Sequence, residues 1–114
     1  MQFASGSRRE MRDYKAKMEM YKLPDDVYEQ LRSFCLDAPL SDRVYIEMAL
    51  DEAIGDELSR YMYRHVVSTD YSFTQMELDG LPCGHDTFRI YRAKFYYSLY
   101  NILKRGGYFE DEMW

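Results

Sequence analysis

The chain has 114 residues, 46% hydrophobic and 31% charged, the balance of a folded globular domain rather than of a disordered segment. No apolar run approaches the roughly 20 residues that cross a bilayer, and the opening MQFASGSRRE lacks the charged-then-apolar order of a secretory signal, so a cytoplasmic chain with no membrane partner is expected. A net charge of −5 argues against general affinity for nucleic acid.

In chain order, Ser7 to Lys22 reads first as an N-terminal helix. Ser7 is a candidate cap with Glu10 completing a capping box, and Met11, Tyr14, Met18 and Tyr21 follow at helical spacing. Leu23-Pro24-Asp25-Asp26 opens a second helix, since proline suits a first turn and acids favour the positive end of the helix dipole. Its buried face is expected at Val27, Leu31, Phe34 and Cys35. The helix should end at Ala38, because the residue before Pro39 is pushed out of the helical region.

Ser41-Asp42 is expected to start a long helix running to about Val67. Its inner stripe would be Val44, Met48, Ile54, Leu58, Tyr61, Met62 and His65, with Gly55 a point of bending or breakage. The acids from Glu47 to Glu57 read as a solvated face. After a connection at Val67–Tyr71, Ser72 with Gln75 three residues on fits a capping box over a short helix that buries Phe73 and Met76 and ends at Asp79-Gly80.

The stretch from Leu81 to Arg105 is the strongest signal. Phe88, Tyr91, Phe95, Leu99 and Ile102 recur at steps of three and four, the stripe of an amphipathic helix. Arg89, Arg92 and Lys94 are expected on the opposite face. Lys104 and Arg105 suit the helix C-terminus, and Gly106-Gly107 supplies the stop. Tyr96, Tyr97 and Tyr100 suggest either packing or a platform for stacked bases, with packing favoured on so amphipathic a helix. An all-α domain of four or five helices follows. It divides into an N-terminal helix at 7–22, an acidic helical body at 24–67, a helix-turn-helix-like unit at 72–105 and an acidic-aromatic tail at 107–114.

Charge is segregated along these segments. Leu23–Gly80 holds four basic and thirteen acidic residues, whereas Leu81–Gly106 holds five basic and one acidic. A basic stripe on an acidic body can still bind DNA, because the relevant field is local. Catalysis is not expected: the chain has neither a Gly-rich phosphate loop nor a serine elbow. Cys83 and His85 form a Cys-x-His pair, but completing a zinc site from these residue types would require Cys35 and His65. No Glu-x-x-His pair supports a carboxylate-bridged metal centre. Cys35 and Cys83 are expected as reduced thiols, and no cofactor is expected.

The run SFTQMELDGLPCGHDTFRIYRAKFYYSLYNIL, residues 72–103, resembles the C-terminal helix-turn-helix of small phage and prophage transcription regulators of the RinA and ArpU type. These are themselves similar to region four of sigma factors. Phe73 matches the aromatic residue that opens the short helix, Thr87-Phe88 the pair at the start of the second, and Tyr91-Arg92 and Phe95 the helix that follows. Pro82 and Gly84 stand where that family has an apolar-Ser turn, and the linker is about one residue longer. The resemblance implies double-stranded DNA as partner, with the second helix in the major groove. His85, Asp86 and Arg89 would face base edges, and Arg92 and Lys94 would meet phosphates. A homodimer is a further expectation.

The acidic centre, the twelve tyrosines and the tail Tyr108–Trp114 also suit a second function. On that reading the chain is a phage-encoded protein-interaction module that inhibits a bacterial nucleic-acid-binding enzyme.

Overall fold

A computed structural model describes residues 14–107. The expected cap at Ser7 and Glu10, Met11 and the tail from Tyr108 to Trp114 lie outside those residues. All regular structure among the described residues is helical. The order is α1 (residues 14–20), α2 (Asp25–Asp37), a 3-10 turn (Leu40–Asp42), α3 (Arg43–Ala53), α4 (Asp56–Val66), α5 (Phe73–Leu78) and α6 (His85–Arg105). None of these helices is long and apolar enough to cross a membrane.

Helix α2 buries the four residues its spacing predicts, Val27, Leu31, Phe34 and Cys35. Pro24 caps its start, and Ala38 leaves it in an extended conformation ahead of Pro39, as the steric clash with a following proline requires. Arg43 ties the connection to the body, its Nε donating to the Ala38 carbonyl at 3.3 Å and a guanidinium nitrogen to the Tyr63 hydroxyl at 3.3 Å.

The expected long helix is two helices. Gly55 adopts φ 88°, ψ 174° between α3 and α4, a region essentially closed to side-chain-bearing residues. Its carbonyl starts α4 by accepting the Ser59 N–H at 3.2 Å, and Asp56 and Glu57 then occupy the favourable positive end of that helix. The break resets the phase of the buried stripe. Helix α3 buries Ile46, Ala49, Leu50 and Ala53, and α4 buries Leu58, Tyr61, Met62 and Val66. Val44 and Met48, expected inside, are 50% and 47% exposed. Ile54 is half-buried, at the junction itself.

Helix α3 lies along α6, the most extensive pairing of elements among the described residues. Ala49 and Ala53 are buried on α3, and Ser98, buried on α6, donates its hydroxyl to Glu52 Oε1 at 3.0 Å. The core is completed by Phe88, Phe95, Tyr96, Leu99, Ile102 and Leu103 of α6 with Leu31, Met62 and Met76. Each such fully buried apolar side chain contributes about 1.5–3 kcal/mol. The acids Glu47, Asp51, Glu52, Asp56 and Glu57 are all exposed. At the N-terminal end, Tyr21 meets Tyr97 edge to face, with ring centroids 5.6 Å apart.

Replacing Gly55 by alanine tests the break. A Cβ there meets no atom within 4 Å, so any cost comes from the backbone conformation alone and should be about 1–3 kcal/mol. A denaturant midpoint lowered with an unchanged m-value is the expected result; an unchanged midpoint would show that α3 and α4 join without strain.

Candidate functional site

The unit formed by α5, its turn and α6 is built from local signals. Ser72 Oγ accepts the Gln75 N–H at 3.1 Å and caps α5. The Gln75 side chain does not return to the cap, as a capping box would have it, but reaches Asp79 Oδ1 at 3.3 Å. The helix closes with the Leu81 N–H on the Met76 carbonyl at 2.9 Å and the Gly80 N–H on Glu77 at 3.1 Å. This is the Schellman arrangement, and it places Gly80 at φ 97°. Asp79 fastens the same turn, accepting the Tyr71 hydroxyl at 2.7 Å on its carboxylate and the Tyr61 hydroxyl at 3.3 Å on its carbonyl.

Leu81 to Gly84 are not helical and lead into the long helix, Pro82 disfavouring helix at the residue before it. Helix α6 begins at His85 behind Gly84. Its link to the preceding elements is aromatic. Phe73 is half-buried between His85 and Phe88, at centroid distances of 4.6 and 5.8 Å, and Phe88 and His65 meet edge to face at 5.4 Å. Met76 of α5 is fully buried.

The five residues singled out from sequence do not share one surface. His85, Asp86 and Arg89 are exposed on the first turns of α6, and Lys94 is half-buried. Arg89 and Lys94, five residues apart, are separated by about 140° around the helix. Between them, on the side of the helix opposite the apolar stripe, lie Asp86, Ile90, Ala93 and Tyr97, of which Ile90 and Ala93 are half-buried and Tyr97 packs against Tyr21. Arg92 is not on that outer face. It is half-buried, and its guanidinium donates to His65 Nε2 at 3.2 Å. Four residues after Phe88 and seven before Leu99, it falls within the apolar phase of the helix. That position is the signal a reading by residue type passes over. The tyrosines likewise diverge: Tyr96 is in the core, Tyr100 is half-buried and Tyr97 is 37% exposed.

Arg92 enters a cleft of about 370 Å³ between α2, the connection after α4, and α6. Tyr28, Arg32 and Leu36 form one wall, Arg92 and Tyr96 the other, and His65, Ser68, Thr69 and Ser72 close it. His65 Nδ1 lies 2.8 Å from the Tyr71 carbonyl. Nδ1 therefore carries the proton, and Nε2 is the acceptor for Arg92. Burial, with the nearby charges of Arg92 and Arg32, holds the imidazole below its ordinary 6.5 despite the opposing effect of the Tyr71 bond. Ser68 donates to Asp70 on the rim. Among the described residues no carboxylate forms an ion pair with Arg32 or Arg92; the pair seen is the exposed Arg105–Glu52 contact at 3.9 Å.

Both thiols are free. Burial pushes Cys35 up to about 12 and raises Cys83 as well, so neither carries the thiolate that nucleophilic chemistry needs. No group of three or more His, Cys, Asp or Glu among the described residues is placed to hold a metal ion. Comparison of the chain with protein-family models, curated proteins and solved structures finds no match.

The His65 arrangement predicts a pH dependence of stability. As pH falls the unfolded chain protonates His65 first, at its ordinary value, while the folded imidazole resists. Stability is therefore complete above 6.5 and is lost as pH falls towards the lower folded value. Urea unfolding from about pH 7.5 to about pH 5.5 should show a falling midpoint. His65→Gln should be less stable at the upper pH, having lost the links to Tyr71 and Arg92, and its midpoint should fall less across the window. Parallel falls for the two proteins would place the titration elsewhere.

Proposed function

We propose that this protein is a DNA-binding transcriptional regulator of phage or prophage type, with α5, the Gly80 turn and the first half of α6 acting as its helix-turn-helix. The observation that carries the reading is the placement of α6. Its C-terminal half is enclosed by α3, while His85, Asp86 and Arg89 stand exposed at the N-terminal end, the end a recognition helix presents to base edges. A short capped helix and a tight glycine turn precede it, in keeping with the resemblance of residues 72–103 to the RinA and ArpU regulators.

The chemistry suits a helix lying in a groove. Arg89 has the planar fork that reads guanine through O6 and N7, and His85, propped on Phe73, adds a second polar edge. Lys94 lies on the other flank, where a groove-bound helix meets the phosphates of the opposite wall. Arg92 contributes no outward cation in this arrangement, because His65 holds it in the cleft.

A second reading is favoured by a separate observation. Leu40, Val44 and Met48 recur at four-residue spacing and are 83%, 50% and 47% exposed, with the exposed acids Glu47 and Asp51 beside them. An apolar line edged by carboxylates suits a protein partner. That partner would be a nucleic-acid-binding bacterial enzyme inhibited by the acidic body, or a second copy of the chain in a dimer.

Selection from a random duplex pool across a salt series separates the readings. The regulator should enrich a defined motif and bind more weakly as salt rises. Arg89→Ala should cost about 1–3 kcal/mol on the preferred site and relax one position of the motif. Lys94→Ala should weaken all sequences alike and reduce the salt slope by about one. Arg92→Gln should leave the motif unchanged. No binding at low salt would overturn the regulator in favour of the protein-interaction reading.

A further inference from the structure

We infer that the cleft between α2 and α6 is a binding site for a small phosphate-bearing ligand, inorganic phosphate or a phosphomonoester, gripped by Arg32 and Arg92. The inference uses residues outside the proposed DNA-reading surface and stands apart from that reading.

Three features of the cleft point the same way. First, arginines from two different helices line one space of about 370 Å³, near the lower end of the range of small-ligand pockets. Neither is neutralised by a carboxylate among the described residues, although thirteen acids lie between Leu23 and Gly80. Like charges brought together in a recess repel each other, and an anion between them removes that cost.

Second, Arg92 is pre-positioned. The neutral His65, its proton fixed on Nδ1 by Tyr71, accepts one guanidinium N–H and leaves the other donors for a ligand. A fork held in place loses little freedom on binding, and arginine matches phosphate oxygens two at a time. Third, the remaining lining supplies neutral donors. Thr69 contributes a hydroxyl, and Ser72 Oγ accepts from Gln75 while keeping its own proton to donate. Asp70 takes the Ser68 hydroxyl instead, so Ser68 is not counted among the donors.

The recess favours a small ligand over duplex DNA. Backbone phosphates lie on a convex rod and are met by projecting cations, whereas Arg92 is half-buried and held inward. Tyr28 and Tyr96, edge to face at 5.0 Å, offer an aromatic edge beside the arginines for an organic group esterified to the phosphate.

The test is a titration of the full-length protein in chloride buffer at constant ionic strength, followed by the amide and His65 ring resonances. The probes are inorganic phosphate, adenosine 5′-monophosphate and a short duplex. Saturable shifts at His65, Thr69 and Arg92 with either small probe are expected. Tighter binding of the monophosphate would assign a phosphomonoester, and equal binding the phosphate group alone.

Arg32→Gln, an exposed position that should not disturb folding, and Arg92→Lys, which keeps the charge but loses the fork, should each weaken binding by about tenfold or more. Arg89→Gln should have no effect. No saturable shift with either small probe, or shifts that persist in the Arg32→Gln/Arg92→Lys double variant, would overturn the site. Shifts at these residues with duplex alone would overturn it in favour of a contact to the DNA backbone.

Discussion

The packing of α3 along α6 is the constraint from which the rest of the architecture follows. The Ser98–Glu52 hydrogen bond links the two helices and satisfies the polar side chain that is buried among the described residues. The buried residues of α6 crowd into Phe95–Leu103, while Phe88 alone is fully covered nearer the N-terminus. The clamp therefore divides a single 21-residue helix into a half that serves as core and a half with exposed side chains. The break at Gly55 is part of the same solution, because a continuous helix from Arg43 to Val66 would carry one stripe, and the two segments require two.

The free half of α6 is oriented by rings rather than by a long helix pairing. His65 of α4, Phe73 of α5 and Phe88 of α6 meet in a chain of edge and tilted contacts. Tyr71 and Asp79 anchor the loops on either side of α5. His65 takes part in both networks, meeting the Phe88 ring edge to face and Tyr71 and Arg92 by its two nitrogens. Its protonation state is thus tied to the geometry of the α5–α6 unit: a second proton would sit on Nε2, the atom that now accepts from Arg92, and place two cations in contact. The inner wall of the cleft and the support of the outer surface share this one side chain.

Much of the fold was legible in the sequence where a local rule has no competitor. The buried face of α2, the Ser72 cap, the end of α5 at Gly80 and the stop of α6 at Gly106 each depend on a few adjacent residues, and each lies where its pattern puts it. The acidic face from Glu47 to Glu57 is equally local. Legibility failed where phase had to be carried across a break. A single stripe carried through Gly55 puts Val44 and Met48 inside, whereas the effect of that glycine on backbone direction is fixed by tertiary packing. The site residues divide in the same way. The exposure of His85, Asp86 and Arg89 follows from their distance from the Phe88 stripe. By its charge Arg92 reads as an outer residue, although its position in the helix repeat is internal. Nothing in a linear pattern announces that Arg32 and His65, 33 residues apart in the chain, converge on it.

A charged residue in the apolar phase of a helix is costly unless the fold compensates for it. Here compensation is partial in a particular way. His65 satisfies one N–H of Arg92 but supplies no negative charge, and Arg32 adds a second positive one. Evolution of stability alone has simpler solutions at such a position: an aliphatic side chain extending the Phe88–Phe95–Leu99 stripe, or one of the many nearby acids turned inward to form an ion pair. None of these acids is among the residues that line the cleft, which carries Arg32 and Arg92 in a molecule whose net charge is −5. Since fields inside a recess are screened less than those on the surface, the local sign governs what enters. An arginine kept fixed, half-buried and unneutralised is better accounted for by a ligand than by the stability of the helix that carries it.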